Sequence, residues 1–338
     1  MLNYYRVINF DKIKMDFCST NKIEDDLSLE LKKRGSQYFR LPARKKIFSY
    51  VSSLKEICRG YDVVHINANS ATATIELFAA KLAGVKIRLI HNHNSHTDYP
   101  ILNKLLLPFY HRLYTKAIAC SEEAGKWLYG NDFVILRNAI NLERYIFDQG
   151  ERTRIRERYQ IKKEDVVIGH VGKFVSTKNH KFIIDIFSFY HDKNPHSWLL
   201  LVGDGVLHNE IISHVKELKL ENAVIFAGLV QNVESLLQAM DVFVFPSLYE
   251  GMPLSVVEAQ ASGLPCITST NVTDLVCIGK DVVRLDLEKG PRFWAGYILE
   301  QTYSDRQKRC SENYKLITEK GYNIRDEGEN LQKLYENQ

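Results

Sequence analysis

Short apolar runs rich in β-branched residues alternate along the chain with longer stretches of helical periodicity. In the first half the runs are KIKMDFC, QYFRL, DVVHIN, KIRLIHNH, AIACS and DFVILRN. Amphipathic stretches lie between them, among them Ile47–Gly60, Ala71–Ala83 and Ile101–Lys116. The second half repeats the pattern with VVIGHVGKF, SWLLLVGDG, NAVIFAG, DVFVFPS, LPCITST and DVVRLDL. Strand–helix alternation of this kind predicts an α/β protein with parallel sheets covered by helices on both faces. Two such series predict two doubly wound domains, joined near Asn141–Gly150. The tail from about Tyr303 reads as helices with no strand between them.

Composition agrees with this and narrows it. A chain of 338 residues is long for one core. Its 45% hydrophobic and 25% charged residues are the mix of a globular protein. No uninterrupted apolar run reaches the ~18 residues that would suggest a bilayer-spanning helix. The opening MLNYYRVINFDKIKMD lacks a basic-then-apolar signal pattern. Six cysteines, 18, 58, 120, 266, 277 and 310, include no C-x-x-C pair. Reduced thiols in a cytosol are therefore expected, rather than a zinc site or disulfide framework. Without a secretory signal, the sequon at Asn271–Thr273 carries no weight. Residues 1–150 hold 22 Lys and Arg against 15 Asp and Glu, and the remainder 23 against 26. The basic half could face phosphate-bearing lipid or a membrane surface; a solvated lysine-rich face would read the same way.

Doubly wound sheets bind ligands in the loops at the carboxyl ends of their strands. The loop GHVGKFVSTKNH, Gly169–His180, carries Gly172, Lys173 and Lys178 ahead of a helix expected over Asn179–Tyr190. Two lysines at a helix N-terminus make an anion site. LLLVGDG ends in a tight turn at Gly203 and Gly205, where a ligand could approach bare backbone. FAGLVQNVESLL includes Leu229 and Val230 and enters a helix with Asn232 as its expected cap. Exposed backbone there could meet a flat heterocycle.

The stretch SLYEGMPLSVVEAQASG is the most informative. Gly251 suggests a sharp bend, Met252 follows, and Pro253 suits the first helical turn. The amides from Gly251 to Leu254 form an anion cradle. Glu250 lies on the loop and Glu258 on the helix, sharing a face with Leu254 and Ser255. A carboxylate beside such a cradle repels phosphate unless it grips hydroxyls attached to that phosphate. Two of them can bracket a molecule with a sugar at each end and phosphate between, which describes a nucleotide sugar.

Together these loops resemble family 4 glycosyltransferases, retaining enzymes of the GT-B fold with two Rossmann-like domains facing a cleft. The resemblance spans nearly the whole chain. GHVGKFVSTKNH is similar to the family's Gly-Arg…Lys loop, with Lys173 where arginine is usual. EGMPLSVVE matches its E-x7-E motif, and RNAINLERY resembles its P-N-G-I-D crossover with Arg137, Ala139 and Asn141 substituted. IHNHNSH and ACSEEAGKWLYG are similar to capsular and exopolysaccharide members.

The resemblance implies an acceptor domain over 1–145 plus the helix about 321–338, and a donor domain over 146–320. Lys173 and Lys178 would hold the diphosphate, Glu250 the transferred sugar and Glu258 the ribose. His93 or His91, with Asn138, would face the acceptor, and His93 is favoured. No metal or other cofactor is implied. The co-substrate would be a UDP-sugar and the acceptor a glycan or lipid-linked saccharide. The expected location is cytoplasmic, with peripheral contact at the inner face of the membrane, where Arg44–Lys46 and ILNKLLLPFYHRLYTK combine basic and apolar residues. Members usually open with a strand and a glycine-rich loop that precede MLNYYR, so a first strand is expected to be missing.

Other readings are a non-catalytic nucleotide-sugar binder and a GT-B epimerase or hydrolase. The epimerase or hydrolase would need an added acid/base, for which there is no clear candidate. A dehydrogenase would need G-x-G-x-x-G, which does not occur. Nucleic-acid binding lacks lysines interleaved with aromatics on one strand face.

Overall fold

The computed structural model describes residues 1–301 and 305–336. Its strands are β1 (Phe17–Ser19), β2 (Tyr38–Arg40), β3 (Val63–Ala68), β4 (Ile87–Asn92), β5 (Lys116–Ala119), β6 (Val134–Ile135), β7 (Val166–Val171), β8 (Ser197–Val202), β9 (Val224–Gly228), β10 (Val242–Phe245), β11 (Cys266–Ser269) and β12 (Val282–Leu285). The helices are α1 (Leu2–Val7), α2 (Asp25–Lys33), α3 (Ile47–Cys58), α4 (Thr74–Leu82), α5 (Pro100–Tyr110), α6 (Glu122–Tyr129), α7 (Gln149–Arg158), α8 (His180–His191), α9 (His208–Glu217), α10 (Val233–Ala239), α11 (Leu254–Ala261), α12 (Gly290–Glu300), α13 (Arg306–Glu319) and α14 (Ile324–Glu336). Tyr303, the expected start of the helical tail, lies outside the described residues. No described helix is long and apolar enough to cross a membrane.

The chain divides into two compact units. Unit 1 comprises Met1–Ala139 with Ile324–Gln338, and unit 2 comprises Ile140–Asn323. Unit 2 begins before Asn141 because the Ile140 N–H donates to Tyr322 O at 2.9 Å. Leu142 and Tyr145 then enter its core.

Unit 2 holds one parallel sheet in the order β12-β11-β10-β7-β8-β9. The chain enters at β7, winds outward to β9, then returns to lay β10 on the other side. The order therefore reverses between β7 and β10. Strand alternation sends Val167, Leu200, Phe243 and Phe245 into one core with Val256 and Val257 of α11. It sends Ile168, Leu199, Leu201 and Val244 into the other with Ile183 and Phe187 of α8. Burial on both faces is why these strands read as unbroken apolar runs.

Unit 1 carries two separate parallel sheets, β1-β2 and β3-β4-β5-β6. Among the described residues no ladder joins β1 to β3. Tyr4 of α1 and Ile324 and Leu331 of α14 pack with Leu89, Ile118 and Leu136.

Some elements are shorter than the sequence pattern predicts. The Asp16 carboxylate takes the Gln37 N–H at 2.6 Å just before the short β1. Strand β6 stops at Ile135, and soon after it the Arg137 N–H goes to the Glu327 carboxylate at 3.0 Å. Helix α5 ends at Tyr110, six residues before Lys116, which opens β5.

Candidate active site

In unit 2 the loops leaving β7, β8, β9 and β10 stand side by side, because their strands are neighbours. Backbone bonds stitch them together. Gly172 N–H donates to Val202 O at 3.0 Å, Gly203 N–H to Gly228 O at 3.0 Å, and Phe174 N–H to Asp204 O at 2.9 Å. Leu248 N–H reaches Thr177 O at 2.8 Å, tying the β10 loop to the β7 loop.

The glycines of this region serve that stitching. A Cβ on Gly203 would meet Gly172 O at 2.1 Å, and one on Gly205 would meet Phe174 O at 2.4 Å. Neighbouring backbone, rather than open space for a ligand, fills the volume beside them. Gly251 differs: a Cβ there would meet nothing within 4 Å, and its φ is not positive. The bend expected at Gly251 is therefore one that other residues could adopt. Pro253 sits one position earlier than expected, at the N-cap of α11, and Leu254 opens the helix. Asn232 occupies the N-cap of α10 but makes no side-chain capping bond. Asn179 is left-handed, with φ 57°, and precedes α8.

Lys178 and Glu250 meet across the reversal point, Nζ to Oε1 at 2.6 Å, and both side chains are largely buried. The Lys178 ammonium also lies 4.6 Å from the centroid of the Phe245 ring, a cation–π contact. Lys173 is exposed and has no ion pair among the described residues. Met252 packs against the unit 2 core, as does Val230, while Leu229 points outward and is exposed.

Glu258 is half-buried on α11. Burial pushes its pKa up, a hydrogen bond from the Tyr145 hydroxyl opposes that shift, and the nearby Glu234 adds to it. Glu234 is itself ion-paired with Arg144. The carboxylate of Glu258 is thus surrounded by Tyr145, Arg144 and Glu234, none of which the spacing of the two glutamates indicates. Arg144 and Tyr145 close the RNAINLERY stretch, so their signal lay in residues singled out for another reason.

In unit 1 the period-2 alternation of strands places His65 and Asn67 of β3 and His91 of β4 on one face, with His93 just beyond. Their rings form a row. The His65 and His91 centroids are 5.4 Å apart, and those of His91 and His93 are 4.2 Å apart. His93 Nε2 lies 3.0 Å from Asn67 Oδ1, and Asn138 bonds to the same ring. At the other end, His65 Nδ1 meets the Tyr335 hydroxyl of α14 at 2.8 Å. Burial lowers all three pKa values, to about 3 for His65, well below the ordinary value for His91, and to about 4 for His93. The row is neutral at pH 7. His91 is fully buried while His93 keeps some exposure, so of the two His93 is the one a bound molecule can reach.

The family described as "Glycosyl transferases group 1" matches residues 151–284, which hold the lysine loop and both glutamates. The chain is also 32% identical over 327 residues to a Bacillus subtilis protein named as glycosyltransferase EpsF, covering 91% of this chain and 85% of that one. The chain belongs to the group 1 glycosyltransferases. This glycosyltransferase is 29% identical over 255 residues to the UDP-Gal:alpha-D-GlcNAc-diphosphoundecaprenol alpha-1,3-galactosyltransferase of Escherichia coli, covering 70% of this chain and 64% of that one. Its fold is similar to the crystal structure of Anabaena Alr3699/HepE in complex with UDP and glucose, with a TM-score of 0.76, 15% identity, and coverage of 96% of this chain and 100% of that one. The GT-B fold, with a Rossmann-like parallel sheet in each unit, follows.

Within this glycosyltransferase, sequence reasoning missed His65, Asn67 and Tyr335. The H-x-N of DVVHIN, set beside the H-x-H of LIHNH, is the pattern that would have indicated the first two. Tyr335 has no local signal, because it reaches β3 from the last helix.

Proposed function

We propose that this glycosyltransferase takes a UDP-sugar in unit 2. It moves the sugar, with retention, to a glycan or lipid-linked saccharide acceptor in surface-polysaccharide synthesis. The observation that carries this reading is the Lys178–Glu250 pair at the β7/β10 reversal. It places a cation and a hydroxyl-accepting anion side by side at the point where doubly wound sheets bind nucleotides.

In this reading Lys178 and the exposed Lys173 neutralise the diphosphate, together with the first-turn amides of α11. Those cations do the work a metal ion would otherwise do, so no metal is required. When the diphosphate takes Lys178, Glu250 is released to accept bonds from the sugar hydroxyls. Glu258 accepts from the ribose, and backbone at Leu229 and Val230 meets the base. Gly172, Gly203 and Gly205 act by letting these loops pack.

The bond from the anomeric carbon to the departing phosphate oxygen breaks, and its electrons stay on UDP. The acceptor oxygen bonds to that carbon on the same face, and its proton passes to the departing phosphate. In unit 1, His93, neutral and held by Asn67 and Asn138, bonds the acceptor, and His91 supports it from behind. The E. coli relative's diphosphoundecaprenol substrate and the UDP bound by the Anabaena protein support the choice of acceptor and nucleotide. A cytoplasmic site with peripheral membrane contact is part of the same reading.

The test is incubation with UDP-, GDP- and ADP-sugars and an undecaprenyl-diphosphate saccharide. Products are read by mass and their anomeric configuration by NMR. An α-linked product from a UDP-sugar is expected. A β-linked product would overturn retention, transfer only from GDP- or ADP-sugars would overturn the base, and free sugar without product would indicate a hydrolase.

A further inference from the structure

Unit 1 exposes large apolar side chains where a folded surface ordinarily buries them. Helix α5 turns Asn103 and Tyr110 inward. Its opposite face leaves Ile101 78%, Leu105 65% and Phe109 60% exposed, with Leu102 beside them. Positions 101, 105 and 109 are four apart and form one stripe. At the start of α3, Phe48 is 89% exposed, separated from the exposed Lys45 and Lys46 by Ile47.

These two protrusions flank a single short segment. Arg44 donates to Thr72 O at 2.5 Å, and Asn103 Oδ1 accepts the Ala71 N–H at 2.7 Å. Residues 71 and 72 follow β3, α5 follows β4, and the 42–46 loop follows β2. The 44–48 loop and the first turn of α5 therefore lie at the carboxyl ends of unit 1's strands, the end at which His93 sits, and the α5 stripe runs from there along the side of the unit.

The charge around them is predominantly positive, with Glu76 held by Arg44 at 3.0 Å. Between Glu30 and Glu56 the chain carries Lys32, Lys33, Arg34, Arg40, Arg44, Lys45, Lys46 and Lys55 and no acid. Between Asp98 and Glu122 it carries Lys104, Arg112 and Lys116 and no acid. A second copy of this chain would bring the same positive surface and be repelled. A bilayer rich in anionic lipid offers apolar depth for Phe48, Ile101, Leu105 and Phe109, and phosphates for the surrounding bases.

We propose that this end of unit 1, built from the 44–48 loop and the outer face of α5, docks on an anionic lipid bilayer. The docking rests on the lipid-linked acceptor reading and deepens it, because it brings the strand ends that carry His93 to the headgroup layer. Lipid binding is measured apart from transfer, so either can fail alone.

The experiment is flotation of the full chain with vesicles of phosphatidylcholine, alone or mixed with phosphatidylglycerol. The chain should float with the mixed vesicles, less so as salt rises, and stay down with phosphatidylcholine. Removing positive charge with Lys45→Glu and Lys46→Glu should weaken partition roughly fivefold per charge lost. The triple variant Phe48→Ser, Leu105→Ser, Phe109→Ser should lose flotation while keeping its melting temperature and its UDP-induced thermal shift, since all three side chains are exposed. A wild-type chain that does not float with anionic vesicles would overturn the proposal, as would a triple variant that floats unchanged. A dimer that the triple variant converts to monomer would assign this face to a second copy instead.

Discussion

At the reversal point of unit 2 the strand ends hold a charged pair, and in unit 1 a row of neutral rings stands at the corresponding place. Lys178 and Glu250 lie at the reversal point of a six-stranded sheet, each largely buried and each neutralised by the other. His65, His91 and His93 stand along two strands of a four-stranded sheet with no acid among their hydrogen-bond partners, and burial, helped by the nearby N-terminal ammonium and by their repulsion of one another, keeps them uncharged. A pair of opposite charges can be opened by a ligand that carries both an anion and hydroxyls. A row of neutral imidazoles can only give or accept hydrogen bonds. In the proposed function the charged pair serves the donor and the neutral row the acceptor.

The sharpest way to break this contrast is to remove the charged pair. Glu250→Ala should lower kcat by ~10²–10³ while UDP binds at least as tightly, because Glu250 is assigned to the sugar and competes with the diphosphate for Lys178. Lys178→Ala should weaken UDP roughly tenfold as well as lowering kcat, the cost of one charge-assisted contact. Steady-state rates and calorimetric UDP binding read the two effects separately. Wild-type turnover by Glu250→Ala would remove the basis of the contrast.

In unit 1, His93→Ala should lower transfer by about 10–100-fold, as loss of one polar contact at the reacting centre does, and leave the UDP dissociation constant unchanged. A change in UDP affinity instead would place His93 on the donor.

Acid sharpens the comparison further. The folded pKa values of the histidine row lie below the unfolded value of about 6.5. The unfolded chain therefore binds more protons, and stability rises with pH. The contribution is complete above pH ~6.5 and is lost as pH falls toward the folded values, at up to ~1.4 kcal/mol per pH unit for each histidine. Urea midpoints should fall steeply between pH 6.5 and 4.5, and His91→Leu should flatten that slope. The same slope in wild type and variant would show that His91 is not buried neutral.

The smallest effect concerns Glu258. Its raised pKa means the carboxylate costs stability above the ordinary carboxylate range, the reverse of a paired acid. Glu258→Gln should therefore raise the melting temperature at pH 7 by roughly 2–4 °C, about 1 kcal/mol, while weakening UDP. A lower melting temperature would show that the hydrogen bond from Tyr145 outweighs burial.

How much of this was legible in the sequence follows from how far apart the partners lie in the chain. β7, β8 and β10 read clearly because both their faces are buried and their apolar runs are unbroken. Glu250 and Glu258 read clearly because a loop and the helix after it are one local unit. The end of β6 did not, because the carboxylate that takes the Arg137 N–H comes from Glu327, 190 residues away. Tyr335 reaches His65 across 270 residues and leaves no periodic trace. Gly203 and Gly205 were visible as a turn, but their cause was not. The volume a Cβ would need is taken by Gly172 and Phe174 backbone, which only the sheet order brings there.

The central claim is that the loops around Lys178 and Glu250 hold a uridine diphosphate. It is tested most directly by thermal unfolding of this chain with UDP, GDP and ADP, each at about 100 times the dissociation constant expected for UDP. Such a concentration should add roughly 2.7 kcal/mol of stability. The account predicts a clear rise with UDP, about half of which Lys178→Ala removes. A cooperatively folded protein whose melting none of the three nucleotides moves would contradict it.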